Sequence, residues 1–189
     1  MAATDRVVSY PGGIRARYRW AGSGRSAEVF ALTEAGGSLA DLGPRVAADP
    51  DALCRAELRV DSPSGAWTVR LASTISDEPS GVAWDAAGLL VVEFGFHVYG
   101  LGARDGDARW IHRSASPIVS LHGSSRLDHV IAVAEIETFA LDEAGAVAWR
   151  VGHSDVVSSA ELVGGRLVLT SYGSGHVAID PASGRTIGG

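Results

Sequence analysis

Short runs of alternating apolar and polar residues fill most of the chain, and glycines punctuate them. Leu58 and Val60, Tyr99 and Leu101, Phe139 and Leu141, and Val177 and Ile179 each stand two residues apart. That spacing puts each pair on one face of a strand. Segments 57–65, 98–106, 138–145 and 176–184 share this form and close on Gly65, Gly106, Gly145 and Gly184, which lie 41, 39 and 39 residues apart. An Asp follows the apolar pair in three copies (Asp61, Asp142, Asp180). Its carboxylate is suited to bonding turn backbone, while Gly supplies a positive φ. A second strand leaves each turn, carrying Trp67 and Val69, then Trp110, then Val147 and Trp149. Each copy therefore predicts a β-hairpin.

Two more strands are expected ahead of each hairpin. They fall at 82–84 and 89–93, at 118–121 and 130–134, and at 156–162 and 167–170. In the first copy they fall at 14–20 and 28–32, and a long segment follows. Four strands per copy, A innermost to D outermost, at a period near forty residues, predict an all-β fold: a small β-propeller of about four four-stranded blades. It would be a closed ring, an open arc, or half of a ring completed by a second copy, and an open arc is expected to bare apolar flanks. Residues 1–189 read as one domain, with 33–55 as an insertion in the first blade's B–C connection. Asp49 before Pro50 predicts a short helix there, running over Cys54 and Arg55. The fourth copy ends early, and the apolar stretch 6–10 is expected to supply its outer strand and close the ring.

Composition narrows the partners. The net charge is −6, every one of the 16 basic residues is Arg, and there is no Lys. An acidic chain without clustered basic side chains argues against nucleic acid. No apolar run is long enough for a membrane helix, and the first residues show no secretory h-region. One cysteine, Cys54, makes no internal disulfide and no Cys-pair metal motif. The expected location is the cytoplasm, with no membrane partner and no cofactor.

Residues 138–150, with an aromatic, Leu-Asp, a turn Gly and Trp, resemble the quinoprotein-type propeller repeat, as do 98–110 with Gly102 in place of Asp. Residues 152–180 look more like a WD-type repeat without its terminal Trp-Asp. The resemblance covers roughly 57–189 and implies a blade. It implies no particular activity, because propellers host many functions.

Strand order places the B–C and D–A loops on one rim. Glu93, His97, Glu135, Glu137 and His176 fall there as candidate ligand-binding groups, with any metal left unknown. Trp110 and Trp149, at matched repeat positions, are expected to pack between sheets. Arg15, Arg17 and Arg19 share one strand face and are candidates for contacting an acidic partner. No Gly-x-Ser-x-Gly elbow and no phosphate-binding Gly-x-x-x-x-Gly-Lys loop occurs. The expected function is a non-catalytic binding or scaffolding module for a protein partner or for self-association. The alternative is an enzyme or ligand sensor with a His/carboxylate pocket on that rim.

Overall fold

The computed structural model describes residues 4–21, 40–42, 53–173 and 175–188. The first sheet holds β1 (Thr4–Tyr10), β2 (Ile14–Ala21), β3 (Ala40–Leu42), β4 (Cys54–Ser62) and β5 (Gly65–Ser73), in the order β1-β2-β4-β5-β3. The second runs β6 (Ser80–Trp84), β7 (Leu89–Phe94), β8 (His97–Gly102), β9 (Ala108–Arg113). The third runs β10 (Ile118–His122), β11 (Val130–Ala134), β12 (Glu137–Leu141), β13 (Val147–Gly152). The fourth has β14 (Val157–Val163), β15 (Arg166–Ser171) and β16 (Gly175–Ile179). Pairing is antiparallel throughout, except that β3 lies parallel to β5. Among the described residues no helix is long and apolar enough to cross a membrane.

The sheets stack in sequence order, each pair enclosing one core. Tyr18, Leu58 and Leu71 of the first meet Leu90, Phe94 and Tyr99 of the second. Val91 and Val98 of the second meet Ala132, Phe139 and Leu141 of the third. Ile131, Val133 and Ala140 of the third meet Val157, Leu167, Leu169 and Ile179 of the fourth. No core joins the fourth sheet to the first among the described residues. The fold is an open arc of an all-β propeller.

Strand composition follows from this stacking. A strand buried on both faces reads as a nearly continuous apolar run and not as an alternation. Strands β7, β8, β11 and β12 lie in the two middle sheets and are buried throughout. Strand β2 alternates because only one of its faces meets a neighbour. Cross-strand partners share a face, so the outer flank of the first sheet carries Arg15, Arg17, Arg19, Arg55, Arg59 and Arg70 with Asp5, Glu57 and Asp61. For the first sheet the expectation that an open arc bares apolar flanks is corrected. This end is closed by a charged face, as terminal repeats of stacked folds are.

A repeated lock joins each sheet to the next. Trp67, Trp110 and Trp149 of one sheet lie over the turn glycines Gly106, Gly145 and Gly184 of the following one. A Cβ on those glycines would stand 2.4, 2.5 and 2.5 Å from the indole atoms. All three also have positive φ, near 74°, 79° and 71°, so glycine is required twice over. The indole N–H of Trp67 donates to the Ala103 carbonyl (3.1 Å) and that of Trp110 to the Glu143 carbonyl (3.0 Å). At the last junction His129 comes between, its Nε2 lying 2.8 Å from the Pro181 carbonyl oxygen and 3.4 Å from Trp149 Nε1. The inter-sheet packing expected of Trp110 and Trp149 is what the fold uses.

Four expectations change. The stretch 6–10 does not reach the fourth sheet; β1 pairs with β2 through a tight turn at Pro11–Gly13 and becomes the first sheet's inner strand. A neighbouring hairpin costs far less chain entropy than a closure spanning the whole chain. Strand β1 also ties the first two sheets together. Arg6 donates to the Pro79 carbonyl (2.8 Å) and pairs with Glu78 (2.7 Å), and the Tyr10 hydroxyl donates to the Gly81 carbonyl (3.0 Å).

The second change is that β2 becomes the B strand and pairs directly with β4. The expected strand 28–32, and the insertion apart from Ala40–Leu42 and 53–55, lie outside the described residues. Third, Cys54 and Arg55 belong to β4 and not to a helix, and Cys54 is buried. Fourth, Asp61 does not cap its turn. The pair Ser62↔Gly65 leaves only two loop residues, and Ser62 Oγ bonds the turn instead. Asp142 and Asp180 do cap theirs, accepting from the backbone N–H groups of Ala144 and Ala146, and of Ala182. Among the described residues the last sheet has, in place of a fourth strand, a bridge between Ile179 and Thr186.

Candidate functional site

The B–C turns and D–A connections meet on one rim, and a polar side chain stitches each pair. Asp77 accepts from the Gly95 N–H (3.2 Å), Ser116 Oγ from the Ile136 N–H (3.2 Å), and Asp155 from the Gly173 N–H (2.7 Å). Each stands two or three residues before an inner strand. The Ser-Asp pairs at 76–77 and 154–155 are the sequence signal of this stitching, and the second belongs to the stretch that resembles a WD-type repeat.

The five rim candidates are drawn into this stitching to different degrees. Glu137 is buried, accepts from Ser114 Oγ and the Ala115 N–H (both 3.0 Å), and pairs with Arg150 (3.3 Å). Burial pushes its carboxyl up, but those hydrogen bonds and the Arg150 charge outweigh it and hold it below the usual range. Glu93 is 4% exposed, and one oxygen accepts from Ser80 Oγ (2.7 Å). The other has no hydrogen-bond partner. Burial raises this carboxyl to about 8 in spite of the Ser80 bond.

His97 is buried too, its ring stacked at 6.0 Å on Tyr99, and burial followed by the Arg113 charge lowers its pKa. Glu135 contributes backbone, its N–H donating to the Pro117 carbonyl (3.0 Å) and its carbonyl accepting from the Val157 N–H (2.8 Å). His176 is exposed on β16, with Nδ1 3.0 Å from Thr170 Oγ1. His97 and Glu137 stand among the rim candidates, yet neither side chain faces water. Both are buried because each opens a middle-sheet strand packed on both sides. Among the described residues, no three His, Cys, Asp or Glu groups are placed to hold a metal ion together.

The arginine stripe is presented as its spacing implied. Arg15 and Arg17 are exposed on β2, and Arg19 is half-buried, 3.8 Å from Glu57. Arg17 pairs with Asp5 across the hairpin. The stripe continues onto β4, where Arg59 stands directly opposite Arg17 and 3.7 Å from Asp61. Arg15, Arg17 and Arg59 line a shallow hollow of about 240 Å³ with Val7 and Asp61. Arg59 was not among the candidates, because only pairing of β2 with β4 brings it there.

No family model and no curated protein matches the chain. Solved structures do. One, a crystal structure of HIRA(644-1017), matches at TM-score 0.53 and 12% identity over 99% of this chain and 52% of that one. BamB from Moraxella catarrhalis matches at 0.54 and 16%, over 100% and 58%. The computationally designed Ika8 protein matches at 0.55 and 10%, over 96% and 59%. The general propeller-like architecture is shared. At these identities the likeness shows fold alone, and the chain spans between half and three-fifths of each of these structures.

Proposed function

We propose that the chain is a non-catalytic interaction module and that the outer flank of its first sheet docks an acidic segment of a partner protein. The observation that carries this reading is the Arg17–Arg59 pair. Like charges directly opposite across a strand pair are destabilising; Asp5 beside Arg17 and Asp61 beside Arg59 offset that cost and hold both guanidinium groups on the exposed face. Arg15 extends the same face. Guanidinium groups so arranged present forked donors that match carboxylates. A cytoplasmic location is part of the same proposal and rests on the single cysteine.

Titration with a twelve-residue Asp/Glu-rich peptide and its Asn/Gln counterpart tests the reading. The acidic peptide should bind, weaken steeply as salt is raised, and lose at least about tenfold in affinity in the Arg15→Ser/Arg17→Ser/Arg59→Ser variant. Equal binding of both peptides, or an unaffected variant, refutes it. Arg19 stays in place because its pairing with Glu57 is part of the sheet.

A further inference from the structure

We infer that a groove on the opposite rim, between the second and third sheets, takes a basic extended segment of a partner protein with an apolar side chain seated against Trp84. The A–B turns of the two sheets and the C–D turn of the third enclose a hollow of about 770 Å³. Val82, Trp84 and Leu127 give it an apolar floor, and Asp85, Asp128, Asp142 and Glu143 stand around it. Half-buried Trp84 rests on the core between these sheets, so the floor is anchored.

Charge selects the occupant. Several exposed carboxylates elsewhere stand beside arginines: Asp5 by Arg17, Glu78 by Arg6 and Asp105 by Arg109. Among the described residues no arginine lines this groove, though Arg126 stands in the same turn, and the chain has no lysine to offer. Asp142 spends one oxygen on its own turn. The carboxylates of Asp85, Asp128 and Glu143 make no hydrogen bond or ion pair among the described residues. Four carboxylates around an aromatic-floored hollow complement a chain that alternates cationic and apolar side chains. An extended segment suits the site because a folded sheet flank is too broad to enter a groove between turns. This surface is separate from the arginine flank, so either reading stands if the other fails.

The test uses a ten-residue peptide alternating Arg and Leu, with Ser-for-Leu and Glu-for-Arg counterparts, and follows the Trp84 indole N–H by NMR. The Arg/Leu peptide should shift that resonance and bind at least about tenfold more tightly than either counterpart. The Asp85→Asn/Asp128→Asn/Glu143→Gln variant, altered only at exposed side chains, should keep the wild-type melting temperature and bind about tenfold more weakly. An unmoved Trp84 resonance, equal binding of the Glu/Leu peptide, or an unaffected variant overturns the inference. So does low-salt self-association abolished by the Arg15→Ser/Arg17→Ser/Arg59→Ser variant, which would put a second copy in the groove.

Discussion

Replacing Glu93 by Gln should remove a pH dependence from the stability of the chain. The Glu93 carboxyl is buried at the rim end of β7, one oxygen held by Ser80 and the other unpartnered. Burial lifts it from an ordinary 4.5 to about 8, with the nearby Asp77 charge adding to the effect and Arg6 opposing it. Between those two values the unfolded chain releases the proton and the folded chain keeps it. Stability contributed by the neutral form is thus complete below about pH 4.5, falls as pH rises, and is spent above about pH 8. At about 1.4 kcal/mol per unit, the loss between pH 5 and pH 8 is about 3–4 kcal/mol. Gln cannot ionise, and its carbonyl can still accept from Ser80. Urea unfolding at pH 5, 6, 7 and 8, with wild type and Glu93→Gln side by side, isolates this group from every other titration. The two should differ little at pH 5 and part progressively, the variant being more stable by about 3–4 kcal/mol at pH 8. Curves that stay parallel across the range would mean that Glu93 ionises as readily folded as unfolded, and the reasoning would fail.

Two further outcomes follow from the inter-sheet contacts. Gly145→Ala forces a Cβ onto Trp110 at a positive φ and should cost about 2–4 kcal/mol. In a Trp110→Ala background only the smaller backbone part should remain, and a cost that does not shrink would show that the indole is not the obstacle. Deleting residues 1–10 should lower the melting temperature sharply, because it strips the first sheet of its inner strand and cuts the Arg6 and Tyr10 links to the second sheet; an unchanged melting temperature would show that β1 is dispensable.

Much of the candidate chemistry was only half legible. Arg15, Arg17 and Arg19 could be placed on one face from their spacing, since a strand's period of two needs no tertiary information. Arg59 could not join them, because its distance from Arg17 is set by which strands pair. Glu93 and Glu137 could be assigned to a rim but not to its interior. Their burial depends on the neighbouring sheets, which no local pattern reports. The Ser-Asp steps before the inner strands were visible, but their bonds to Gly95 and Gly173 depend on B–C turns that only the fold brings beside them. The contrast between the alternating strand β2 and β7, apolar at every position but Glu93, already separates a terminal sheet from a middle one.

The linear order of residues was enough to establish most strands of the last three sheets, the first three hairpins and their spacing. A glycine that must be left-handed and an apolar pair two residues apart are local requirements repeated in each copy, and a Trp beyond the turn recurs in the first three. What required three dimensions was every choice among equivalent partners. Strand β1 could have completed the last sheet or begun the first, and the pattern satisfied both. The short connection through Pro11–Gly13 and the bonds to Pro79 and Gly81 decided it. In the same way, stacking on one side only left the first sheet with a charged outer face, because side chains that meet no neighbour are free to stay in water.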